Sequence, residues 1–279
     1  MLKSVIIITI SFSVWQAAHS QQLKNPYFWL QGNKKCETIA TRFQVPEGFK
    51  RVEVRPKSFA QWLRELPLLS DGRPVKDYTG RVRRSAKDTT LAAVVDYNIK
   101  GKKLEQCMDI IFRWRAEYLR SQNRSQDIAF FLPGGFLLKW TDWMKGFRPV
   151  FKGINVNLHQ TKVPDSSRLS FEKYLWEIFY HSYTQTAYVA YPKVNPQNIQ
   201  IGDFVVKKGT RGHAVLIVDM AEDQSGKKIA LIGQGDKPAR QFYLLNYKKD
   251  QPWFPLNPKD EHLPLPIRKK LTWDGVRRF

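Results

Sequence analysis

IGDFVVKKGTRGHAVLIVD, residues 201–219, is the stretch on which the fold turns. Two runs rich in Val, Ile, Leu and Phe flank the turn residues Lys207 to Gly212, so it reads as an antiparallel hairpin whose second strand opens on His213. Downstream, Lys228 to Ile232 and Gln241 to Leu245 are short apolar runs separated by Gly, Asp and Pro, which continues the pattern as a meander. Upstream, Leu104 to Leu119 is the clearest helix. Cys107, Ile111, Trp114 and Tyr118 recur at separations of four, three and four, one apolar stripe with Cys107 a turn inside its start. Helices followed by antiparallel strands predict an α+β fold, with helices packed on a C-terminal antiparallel sheet.

The rest of the chain gives weaker signals. Phe49 to Val54 partly alternates as a strand, Ser58 can cap a helix that Pro67 ends by Leu66, and Leu91 to Ile99 is β-rich. Ile128 to Leu132 reads as a short buried strand, and Phe136 to Met144 as an amphipathic segment. Residues 152–169 read as a polar surface excursion. Ser170 can cap a helix with an aromatic stripe through Tyr174, Leu175, Ile178, Phe179 and Tyr183. The tail is expected to pack back across the body. No internal repeat or low-complexity linker interrupts residues 21–279, which predicts a single domain with an N-terminal extension.

Residues 1–20 have the form of an export signal: Lys3, an apolar run from Val5 to Val14, and small residues in Ala18-His19-Ser20. The run falls short of the ~20 apolar residues a spanning helix needs. The expected location is therefore periplasmic or extracellular. The chain carries a formal charge of +21, or +20 once Lys3 is removed with the signal. Such a surface favours an anionic envelope polymer, a peptide substrate or a peripheral contact with acidic lipid, and export makes nucleic acid an unexpected partner.

The pairing of a helix-borne thiol with a strand-borne imidazole points to nucleophilic chemistry. Helix-start amides lower a thiol pKa, which suits Cys107 to attack. His213 has the best setting of the five histidines, because Gly212 permits close chain approach and the strand behind it is stiff. A third group should orient the imidazole. Gln234 ends the strand after the His213 strand, with Asp203 and Asp219 as rivals, and Gln106 could join the helix-start amides in holding an oxyanion. Two alternatives stand beside this: an inert, buried Cys107, or a disulfide between Cys36 and Cys107, which would abolish the nucleophile. No paired-cysteine or His-Glu-x-x-His motif supports a built-in metal site, no phosphate-binding loop is present, and no cofactor is expected.

The blocks Ser58-Phe-Ala-Gln-Trp-Leu-Arg-Glu-Leu-Pro-Leu, Gln106-Cys107, Gly202-Asp-Phe, Gly212-His-Ala-Val, Gln234, Pro252-Trp-Phe and the terminal Arg277-Arg-Phe resemble a family of secreted bacterial proteins described as domain of unknown function 4846. At greater distance, Cys107, Gly202-Asp203, His213 and Gln234 follow the order of the papain-like cell-wall peptidases of the NlpC type. That resemblance implies a papain-like core and hydrolysis of amides in peptidoglycan stem peptides. Here Gln106 replaces the Asp usual before the cysteine, Met108-Asp109 replaces Ser-Gly after it, and a long insert with two helices separates Cys107 from His213. The resulting expectation is an exported cysteine hydrolase cleaving amide or peptide bonds in the cell envelope, with a non-catalytic envelope-binding protein on the same scaffold as its rival.

Overall fold

A computed structural model describes residues 26–30, 36–209 and 211–279, so the expected leader at 1–20 lies outside the described residues. The chain is a mixed α+β protein with an antiparallel sheet of eight strands. The order across the sheet is Val276–Arg277, Phe204–Lys207, His213–Asp223, Lys228–Gln234, Tyr243–Leu245 and Leu91–Val94. Phe49–Arg51 extends the far end of the long His213 strand, and Trp253–Leu256 pairs with Lys228–Gln234. The sheet is thus not purely C-terminal, because strands from residues 49 and 91 complete it. The tail does return, laying Val276 beside Val205.

Alternation along the His213 strand divides the core in two. Ala214, Leu216 and Val218 face the cluster that contains the helices, while Val215 and Ile217 face a second cluster with Val75, Leu263, Leu271 and Trp273. A bulge between Ile217 and Asp219 then reverses the parity, so Met220 joins the second cluster and Ala221 the first. The bulge turns Asp219 into a fully buried position, where Arg51 and Arg64 each hold one carboxylate oxygen at 2.7 Å.

Ser58 does cap a short helix, Phe59–Arg64, by accepting the Gln61 N–H. The main helix is Cys107–Ser121, which corrects the expected start: Cys107 is the first helical residue, and Gln106 is the cap whose N–H donates to Asp109 Oδ2 at 2.9 Å. The helix is anchored from inside by Arg113, wholly buried among Glu105 (2.6 Å), Glu117 (3.0 Å) and Glu172 (2.6 Å). The next long helix, Arg168–His181, is capped by Ser167 three residues before the expected Ser170, and Thr184–Ala190 follows it. Residues 147–160 are also not irregular. Phe147–Lys152 and Asn155–Gln160 form a hairpin turned at Gly153, whose φ of 63° suits glycine.

Candidate active site

The N-terminus of the His213 strand, the C-terminus of the Gln234 strand and the N-terminus of the Cys107 helix converge at one end of the sheet. Glycines make the convergence possible. A Cβ on Gly212 would stand 2.1 Å from Thr184 Oγ1 and 2.7 Å from the Lys207 carbonyl, and one on Gly235 would meet the Gln106 carbonyl at 3.1 Å. Gly212→Ala is accordingly expected to push the residue before His213 out of register and to cost about 1–3 kcal/mol, as overpacking does; chemical denaturation checks it. Thr184→Ala should recover only part of the loss, because the backbone clash at Lys207 remains.

By strand parity His213 and Gln234 lie on the face opposite the helices, and both are almost fully buried. His213 Nε2 and Gln234 Oε1 are 2.6 Å apart. An amide oxygen only accepts, so the imidazole carries its proton on Nε2 and donates it. Gln234 is fixed in turn, its Nε2 donating to the Tyr243 hydroxyl at 2.5 Å, which also accepts from Arg84 Nε at 3.1 Å. This leaves His213 Nδ1 as an unprotonated acceptor, buried and with no hydrogen-bond partner among the described residues. Burial holds His213 below its ordinary pKa, so the ring is neutral at pH 7.

Cys107 comes to the same strand end from the helix side. The Ala214 N–H, one residue past His213, is close enough to act on its thiol. Cys36 and Cys107 are both free thiols. Burial pushes the Cys107 thiol up to about 11 and the nearby Asp109 adds to this, while the Ala214 N–H and Lys269 act in the opposite direction. The helix-start lowering expected for this thiol is therefore outweighed by desolvation, and Cys107 is protonated at rest. Asp109 is itself held well above the carboxylate range, chiefly by burial.

The rival orienting residues are otherwise engaged. Asp203 takes a bidentate pair from Arg278 at 2.6 and 2.8 Å and accepts the Gln200 N–H, and Asp219 bridges Arg51 and Arg64. Gln106 serves as the helix cap through its backbone, with its carbonyl also accepting from Ile110. Four residues at the site escaped sequence reasoning: Tyr243 and Arg84 behind Gln234, and Asp236 and Lys269 near both the thiol and the imidazole. Tyr243 lies in the 241–245 run read as a strand, but that run is apolar from Phe242 onward and gives no sign of a site residue. No group of three or more His, Cys, Asp or Glu side chains suited to a metal occurs among the described residues.

Residues 39–269 match the family model described as domain of unknown function 4846. The chain belongs to that family. The matched span of domain of unknown function 4846 contains the thiol, the imidazole and its Gln–Tyr–Arg support, and Lys269. No curated protein and no solved structure matches the chain.

Proposed function

We propose that this member of domain of unknown function 4846 is a cysteine hydrolase that cleaves amide or peptide bonds in the cell envelope after export, on a papain-like arrangement of helix and sheet. The observation that carries the reading is the His213 imidazole: Nε2–H is tied to Gln234, while Nδ1 is an orphaned buried acceptor at the strand end the Cys107 sulfur approaches. An unmet buried acceptor costs about 1–3 kcal/mol, a cost that a proton received from the thiol removes. Cys107 Sγ would attack the carbonyl carbon as its proton passes to Nδ1. The imidazolium would then protonate the departing amine, and water would release the acyl group by the same route in reverse. Gln234 would keep the ring turned, and Gln106 with the first helical amides would face the oxyanion.

The test is to incubate the protein with isolated peptidoglycan and with acyl-peptide libraries and to follow newly freed amines by mass spectrometry. Release is expected, and none with Cys107→Ala. Because His213 is held below its ordinary 6.5, its neutral form persists above an acid limb lying below pH 6.5, and the thiol stays protonated to about 11. The rate should therefore hold a plateau across neutral and mildly alkaline pH. A narrow optimum would instead indicate a stored thiolate–imidazolium pair, against this account of the resting site.

One observation favours a second reading, a non-catalytic envelope-binding protein: Cys107 is only 8% exposed, and its thiol is held high. Salt-sensitive retention on an anionic wall polymer, unchanged in Cys107→Ala and without any released amine, would support it.

A further inference from the structure

On the face of the sheet that carries His213, a cavity of about 400 Å³ opens, into which His213, Gln234, Arg84, Asp236, Arg268 and Lys269 project their lining. The charges in it are uneven in how they are satisfied. Arg84 is held by Asp88 at 2.8 Å, and Asp236, the one carboxylate in the lining, faces Arg240 at 3.5 Å. Arg268 and Lys269 have no ion pair among the described residues. Lys269 is half-buried, and among the described residues its ammonium hydrogen-bonds only the Gly212 carbonyl, at a long 3.4 Å. That carbonyl belongs to the residue immediately before His213, so the ammonium stands beside the imidazole. A half-buried cation in a cavity whose one carboxylate, Asp236, already faces an arginine has an unmet demand for an anion.

We propose that Lys269, with Arg268 at the rim, is a specificity element that selects substrates bearing a carboxylate close to the scissile carbonyl, so that the amides cleaved are those of acidic residues. This rests on the hydrolase reading of Cys107. Lys269 also bears on both reactive groups, pulling the thiol pKa down and disfavouring imidazolium. A bound carboxylate offsets both effects, and because they oppose each other in transfer of a proton from Cys107 to His213, the role of Lys269 is to hold the substrate.

Iodoacetate and iodoacetamide test this without any substrate in hand, since they differ little in size but only the first is anionic. Both attach a two-carbon group to sulfur and expel iodide. In a Cys36→Ser background, the ratio of their rates at Cys107 cancels any change in thiolate fraction, and the unfolded chain gives the intrinsic ratio. The folded protein is expected to favour iodoacetate by about three- to tenfold over that reference, a size suited to one partly screened charge, with most of the preference lost in Lys269→Gln. Arg268→Gln, at an exposed position that cannot threaten folding, should remove a smaller part. If both reagents label Cys107 at the intrinsic ratio, the charge selection is overturned and the hydrolase reading stands. If neither labels Cys107 until the protein is unfolded, the hydrolase reading falls and this proposal with it.

Discussion

His213→Ala is expected to lower amide turnover by about 10²- to 10⁴-fold, the usual range for a general base, while leaving the fold in place. Cys107 has no strong local cause to ionise. Burial holds its thiol at about 11, so at pH 7 an unaided sulfur is almost wholly protonated. The imidazole supplies what the helix dipole does not. Its Nε2–H remains with Gln234 throughout, which keeps Nδ1 as the basic position without a change of tautomer. The check is steady-state turnover of whichever acyl-peptide the wild type cleaves, with thermal melts alongside to exclude unfolding. Full activity in the variant would remove His213 from the chemistry.

Arg113→Ala should be the most destabilising single change in the helical layer, about 3–5 kcal/mol, because it strands buried carboxylates. Glu105 is fully buried, and among the described residues it would keep Lys102, at 3.9 Å, as its one ion-pair partner, with the Tyr97 hydroxyl donating at 3.3 Å. Glu117 and Glu172 would fare better, since Arg168 still pairs with both. For a chain this long the loss corresponds to a fall in melting temperature of roughly 10 °C, measurable by calorimetry. Replacing the pair together, as Arg113→Met with Glu105→Gln, should cost less than Arg113→Ala, since no full charge is then left at Glu105 without its partner. The cluster also predicts acid sensitivity. Burial raises the Glu172 carboxyl, but Arg113 and Arg168 overcome this and hold it at about 2 against an ordinary 4.5. Its contribution is therefore complete above about pH 4.5 and drains away as pH falls toward 2.

The parts of this molecule that could be read in the sequence are those whose cause is local. The 201–219 hairpin announces itself by apolar runs around a glycine turn, and Gln234 follows because one further hairpin brings it beside His213. The start of the Cys107 helix was misplaced by three residues, since apolar Leu104 continues the run backwards while the cap is made by Asp109 reaching back to Gln106. The 147–160 hairpin was missed for a different reason. Its second strand does alternate, with half-buried Val156 and Leu158 between exposed Asn155, Asn157 and His159, but two apolar positions in a polar stretch give too short a signal to mark a strand. Arg84 and Lys269 could not be found at all. They lie about 130 residues before and 56 after His213, and only the closed sheet and the loop 263–271, closed by the Leu263 N–H donating to the Leu271 carbonyl, bring them to it.

The wiring of the sheet also governs when the protein can form. Phe49 pairs with Asp223 and Val94 with Tyr243, so both early strands wait for partners made about 150 or more residues later. Loop closure over such distances must precede the contacts that reward it, which makes folding slow compared with a locally paired protein. During synthesis the Cys107 helix is complete while His213 is still unmade, so the nascent chain carries the thiol without its base. Competence for the proposed reaction arrives late and all at once, with closure of the last strands, and fragments released early by the ribosome would lack it.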